Sequence, residues 1–274
     1  MRLAICVRDI TPLYVQPSES SELADEALYG AVLEILSEAE GGFARVRTQY
    51  RYEGYTLLAP LLEGNGKVEA WSAAPKWTVW APYLDVKRGP RVQDQTIACL
   101  TRGGLLERLE SEEILEDGYI QVGLADGRRG YIRKPCAEPQ ITAPAQDEAA
   151  GRAAIIRAAK TYMGVQYRWG GRSPLGIDCS GLTGTSYFLN GYTIYRDAEL
   201  REGFDMREIP FDEKKPGDLI FFKGHVAMYL GGGMFIHSTA SPSAGGVVLN
   251  SFDPARSDYR GDLLEKVVKT GSVF

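Results

Sequence analysis

The 274-residue chain is poor in histidine, with only His225 and His237, and none of its four cysteines forms a C-x-x-C pair. That scarcity argues against a structural zinc site. Positive charge is not in surplus either. Thirty-one Lys and Arg face 36 Asp and Glu, a net charge of −5, whereas a nucleic-acid partner demands a basic face. No run of about 18 apolar residues occurs, so no membrane-spanning helix is expected. The N-terminus has five apolar residues between Arg2 and Arg8, short of the roughly 7 to 15 of a secretory signal, and no small-residue cleavage site follows. A cytoplasmic location is therefore the expectation. The alternative is a secreted or wall-associated protein whose leader was cut away. What remains is an ordinary globular composition, 44% hydrophobic and 24% charged, long enough for two or three domains.

The first half contains a repeat. Gly30-Ala-Val-Leu-Glu matches Gly103-Gly-Leu-Leu-Glu at an offset of 73; Gly42-Phe-Ala-Arg-Val matches Gly118-Tyr-Ile-Gln-Val, and Gly54-Tyr55 matches Gly130-Tyr131, both at 76. Between these points lie short apolar runs punctuated by Gly, Asp, Asn and Pro, which read as strands of two small all-β modules. Each is about 60 residues, marginal for independent folding. The acidic stretch 110–113 reads as a solvated turn. Residues 139–150, rich in Pro, Ala, Gln, Asp and Glu, read as a linker. Beyond it the period changes. AAIIRAAKTYMG and CSGLTGTSYFLNG read as helices, and from Pro216 onward strands dominate, which describes an α+β domain. The expected boundaries are 1–70, 71–138, a linker at 139–150, and 151–274.

Chemistry concentrates in the last segment. His225 and His237 lie in two strand-like runs joined by a Gly-rich turn, so neighbouring antiparallel strands would bring the rings together. Cys179 opens a helix after the loop GGRSPLGID. A helix N-terminus and a nearby histidine are both expected to lower a thiol pKa. Buried cysteines are more often small hydrophobes than nucleophiles, which is how Cys6 and Cys99 read in their apolar surroundings; Cys136 is assigned no role. Cys179 differs in its flanks, Asp178 and Ser180. From the residues alone, two readings stand: a cysteine nucleophile with a histidine base, or a Cys-His-His-Asp zinc cluster.

Residues 151–253 resemble the NlpC/P60 cysteine peptidases. The motifs are YRWGG at 167–171, DCSGL at 178–182, PGDLIFF at 216–222, GHVAMYLG at 224–231 and MFIHS at 234–238. Each half of the repeat resembles a bacterial SH3-like domain. The resemblance implies a multidomain chain of two small all-β SH3-like barrels and a papain-like α+β domain. It implies Cys179 as nucleophile, His225 as base and His237 as the residue orienting that base, with no metal or cofactor.

The full order of domains resembles the γ-D-glutamyl-L-diamino acid endopeptidases of the dipeptidyl-peptidase VI type. The implied substrate is a murein peptide, L-Ala-γ-D-Glu-diamino acid, with a free N-terminal L-Ala. Asp178 and Ser180 would meet that N-terminal end, as would Tyr52, from Tyr52-Glu-Gly-Tyr. Trp169 would line the pocket, together with Asp197 and Ala198 of an Arg-Asp-Ala loop. Tyr195 stands where the family usually has proline, and Ala31 where relatives often carry an acid. Asp178 is also a natural helix N-cap, Trp169 and Tyr52 can serve as packing or surface aromatics, and Asp218 reads as a turn former. An exported hydrolase of intact wall and an inactive wall-peptide receptor are the alternative functions.

Overall fold

The computed structural model describes residues 1–109, 113–115 and 117–274. The solvated turn expected at 110–113 lies, for residues 110–112, outside the described residues. Two compact units divide the chain, Met1–Gln140 and Ile141–Phe274.

The repeat is a repeat of topology. The first sheet contains β1 (Arg2–Cys6), β2 (Ile10–Tyr14), β3 (Leu23–Leu28), β4 (Val32–Glu38), β5 (Phe43–Thr48), β6 (Glu53–Leu57) and β7 (Leu61–Glu63). After helix α1 (Asn65–Ala73), the second contains β8 (Lys76–Val79), β9 (Tyr83–Lys87), β10 (Thr96–Thr101), β11 (Leu105–Arg108), β12 (Tyr119–Gly123), β13 (Arg129–Arg133) and β14 (Ala137–Pro139). The spatial orders are β3-β2-β6-β5-β4-β1-β7 and β10-β9-β13-β12-β11-β8-β14, the same path traced twice. The three-residue change of offset falls between β11 and β12, where the loop lengthens. Alternation explains the strands: β2 and β6 bury every second residue, as a sheet with one face on a core requires. The expected boundary at 70/71 falls inside α1, whose Val68 and Trp71 are buried.

The modules lean on each other at Tyr29-Gly30. Leu105 N–H donates to the Tyr29 carbonyl at 2.9 Å and Ala125 N–H to the Tyr29 hydroxyl at 3.1 Å, while the Trp71 indole donates to the Gly30 carbonyl at 2.8 Å. Gly30 has φ +82°, and a Cβ there would sit 2.8 Å from Trp71. Only glycine meets both conditions.

The second unit is α+β. Its elements are α2 (Glu148–Lys160), the short pair β15 (Arg172–Ser173) and β16 (Gly176–Ile177), α3 (Cys179–Phe188), β17 (Arg207–Ile209), β18 (Leu219–Phe222), β19 (His225–Gly231), β20 (Met234–Thr239), β21 (Gly246–Ser251), α4 (Gly261–Leu264) and β22 (Val267–Ser272). Six of its strands form an antiparallel sheet ordered β17-β22-β18-β19-β20-β21. Central β18, LIFF, is buried at every position, which is why it reads as an unbroken apolar run. Helix α3 packs on β19, β20 and α2, around Leu182, Tyr187, Leu219, Met228 and Ile236. Helix α2 begins inside the stretch expected as linker, because Asp147 caps it by accepting from Ala150 N–H at 2.7 Å. Among the described residues no helix is long and apolar enough to cross a membrane.

Candidate active site

Cys179 is the first residue of α3, and Asp178 is its N-cap, accepting from Gly181 N–H at 2.5 Å. The glycines of the two flanking motifs permit this start. A Cβ on Gly181 would lie 2.1 Å from the Gly171 carbonyl oxygen, so YRWGG and DCSGL touch at a point where no side chain fits. The Asp178 carboxylate is nearly saturated. Arg196 reaches it with Nη1 on Oδ1 at 3.1 Å and Nη2 on Oδ2 at 3.0 Å, and Gly170 N–H donates to Oδ2 at 2.9 Å. Ser180 Oγ accepts from Arg196 at 2.9 Å and donates to Asp178 at 3.3 Å. A buried carboxylate survives in such a place only when paired and hydrogen-bonded. Arg196 is 3% exposed and supplies that pairing. The sequence named Arg196 only as the start of a loop motif, and this role was not read.

The histidines meet on adjacent strands. Met228 pairs with Ile236 in the β19–β20 register, so His225 and His237 are diagonal neighbours on one face, within reach of two rings. Their centroids are 5.0 Å apart, and His225 Nε2 lies 2.7 Å from His237 Nδ1. His237 Nε2 lies 2.8 Å from Asn250 Oδ1 on β21. Nothing in the sequence singled out Asn250. Phe222 stacks on His225, and Phe235 meets His237 edge-on. Helix α3 packs on β19 and β20, and Cys179 shares a core cluster with Val226, the residue that follows His225.

Two facing ring nitrogens joined by an N–H···N bond cannot both be aimed at a metal. Among the described residues, no group of three or more His, Cys, Asp or Glu side chains has metal-holding geometry. The zinc reading thus finds no donor set among the described residues.

The electrostatics correct one expectation. Burial, with the Asp178 carboxylate adding to it, pushes the Cys179 thiol up to about 11; Val226 N–H, Arg196 and Ser180 N–H oppose the shift without reversing it. Burial also pushes His225 down to about 3, helped by His237 and Arg260. His237 falls to about 4 by burial, against the Asn250 hydrogen bond. Both shifts favour a neutral thiol and a neutral imidazole at rest. By helix geometry the Cys179 N–H has no intrahelical acceptor, and it can receive a developing oxyanion.

The remaining expected residues scatter. Trp169 is 61% exposed on the loop carrying Gly170, so it is not core packing. Asp197 is exposed beside Tyr195, and lines a pocket with Thr183, Ile194, Leu200 and Met206 that neither Cys179 nor either histidine borders. Ala198 packs against the main core. Tyr52 belongs to the other unit, at the β5–β6 turn, half-buried, with its N–H on Thr48 Oγ1 at 3.0 Å. Asp218 is a turn former, accepting from Lys215 N–H at 2.7 Å, and also pairs with Arg152 at 2.8 Å. Cys6 is fully buried, as a core residue should be, but Cys99 is half-exposed, its thiol 3.4 Å from Asp85. Asp85 is its cross-strand neighbour.

A thiol at the start of a helix packed on two inner strands that carry paired imidazoles defines an α+β cysteine peptidase, and the chain belongs to the NlpC/P60 family. The NlpC/P60 family model matches residues 164–259, and a bacterial dipeptidyl-peptidase SH3 domain model matches residues 13–60. In particular, the chain is 38% identical to dipeptidyl-peptidase 6 of Lysinibacillus sphaericus over 99% of both chains. It is also 38% identical to the γ-D-glutamyl-L-lysine dipeptidyl-peptidase of Bacillus subtilis over 45% of this chain and 42% of that one. The crystal structure of an NlpC/P60 family protein from Bacillus cereus shares the fold at TM-score 0.78 and 22% identity, covering 98% of each chain.

Proposed function

We propose that this peptidase hydrolyses the bond between γ-D-glutamate and a diamino acid in murein peptides that carry a free N-terminal L-alanine. The observation carrying the reading is the contact of the Cys179 helix start with the His225–His237 strand pair, in a chain collinear with dipeptidyl-peptidase 6 from end to end. His225 takes the thiol proton as sulfur attacks the glutamyl carbonyl. The Cys179 N–H holds the oxyanion, and His225 returns the proton to the departing amine. Water then cleaves the thioester with the same ring as base. His237 orients His225 throughout.

Asp178 and Ser180 flank Cys179 and are assigned to the N-terminal end of the substrate. Trp169, exposed on the adjoining loop, is assigned to the pocket wall. In intact wall the L-alanine nitrogen is acylated, so a demand for a free amine points to released peptides and to a recycling role in the cytoplasm. The test compares free and N-acetylated L-Ala-γ-D-Glu-diamino acid tripeptides by mass detection of products. Release of the free diamino acid is expected from the unblocked peptide, at least about tenfold faster than from the blocked one, a difference of about 1.4 kcal/mol in transition-state binding. Equal rates would remove the amine-recognition role and the recycling assignment with it.

A further inference from the structure

Behind the two imidazoles runs a chain of hydrogen bonds whose direction is set at its far end. Asn250 Nδ2 donates to the backbone carbonyl of Asp258 at 2.9 Å. A carbonyl can only accept, so the amide has one orientation: amino group toward Asp258, oxygen toward His237. Asp258 O is itself held, since Ser251 N–H donates to it at 3.0 Å, and the Asp258 carboxylate is gripped by Arg256 at 2.8 and 3.1 Å. Asn250 Oδ1 can likewise only accept. His237 Nε2, 2.8 Å away, must therefore carry the proton. In a neutral ring the other nitrogen is then bare, so His237 Nδ1 is an acceptor. His225 Nε2, 2.7 Å from it, must donate. The only His225 nitrogen left is Nδ1, with its lone pair free.

We infer that Asn250 is a positioning residue for hydrolysis: by fixing both imidazoles as Nε2–H tautomers, it leaves His225 Nδ1 as the acceptor for the Cys179 proton. His237 is buried and His225 half-buried, and desolvation lowers both pKa values, to about 4 and about 3, which favours the neutral rings. Without Asn250, His237 can carry its proton on Nδ1. His225 must then carry its own on Nδ1 and present an N–H where a base is needed. Substrate binding does not involve this choice, so the loss falls on turnover.

The kinetic arm rests on the hydrolase reading above, but the spectroscopic arm does not. The chain has two histidines, so an imidazole nitrogen NMR spectrum of the full-length protein at neutral pH shows two rings. Both are expected as Nε2–H tautomers in the native chain. An Nδ1–H tautomer in either ring would overturn the inference whether or not the tripeptide is a substrate. Asn250→Leu and Asn250→Ala are expected to give mixed tautomers and to lower kcat at least about tenfold per folded molecule, with KM within about twofold. Unchanged kcat per folded molecule, or a change confined to KM, in whichever variant folds would equally overturn it.

Discussion

The state of the Cys179 proton is decided by two opposed effects of known size. A helix N-terminus favours a negative group by about 0.3 to 1 kcal/mol, and up to about 2 in partly buried geometries. Burial at 6% exposure, with Asp178 adjacent, moves this thiol from 9.0 to about 11, on the order of 3 kcal/mol at 1.36 kcal/mol per unit. Burial wins over the helix terminus and favours a neutral resting thiol, whose proton passes to His225 as the sulfur attacks. The thiolate ultraviolet absorbance of the native chain minus that of Cys179→Ser should be absent at pH 7 and should appear only toward pH 11. Appearance at neutral pH would establish an ion pair instead.

At this scale the sequence showed the reacting atoms but not their supports. Cys179 stood out through Asp178, Ser180 and a Gly-rich approach, and the histidines through their rarity. Arg196 and Asn250 reach the site from an irregular loop and from a separate strand. No short spacing encodes such contacts.

Among elements, the join between α2, the turn before β18 and the end of β22 is a buried charge cluster. Arg152 donates to Asp218 at 2.8 Å, to the Pro216 carbonyl at 2.9 Å and to Ser272 Oγ at 3.3 Å, and Asp218 is 1% exposed. Arg152 also meets the exposed Glu148 at 2.8 Å, so loss of Asp218 leaves it one carboxylate and an unfilled donor, a cost of about 1 to 3 kcal/mol. Asp218→Ala should lower the chemical-denaturation stability by that amount while kcat per folded molecule is kept. A change within about 0.5 kcal/mol would mean the pair is not structurally important. The sequence suggested only the turn, because the Pro-Gly-Asp signal is local whereas Arg152 lies 66 residues away. The strands of the repeat were legible for the complementary reason: alternation and turn glycines are local, and the change of offset from 73 to 76 located the longer loop. The Ala- and Glu-rich stretch after Asp147 reads as linker but serves equally well as the first turn of a capped helix.

Over the whole molecule, the two neutral imidazoles couple folding to acidity. Their folded pKa values, about 3 and about 4, lie below the ordinary imidazole value of 6.5. Above 6.5 neither state binds the protons and the histidines impose no penalty. As pH falls from 6.5 toward 4 the unfolded chain takes up protons the folded chain refuses, and stability is lost through that window. The urea midpoint of the native chain should therefore fall more steeply between pH 6.5 and pH 4 than that of a His225→Gln, His237→Gln double variant. Parallel slopes would show that the rings titrate normally in the fold.

The central claim is that one sulfur performs the chemistry in a pocket other residues build. It is tested most directly by turnover and binding of the L-Ala-γ-D-Glu-diamino acid tripeptide measured side by side on the native chain and Cys179→Ala. The account predicts a fall in kcat of at least about a thousandfold, as for removal of a nucleophile that acts as a unit with its base, with tripeptide affinity kept within about tenfold. Turnover persisting in Cys179→Ala would contradict it.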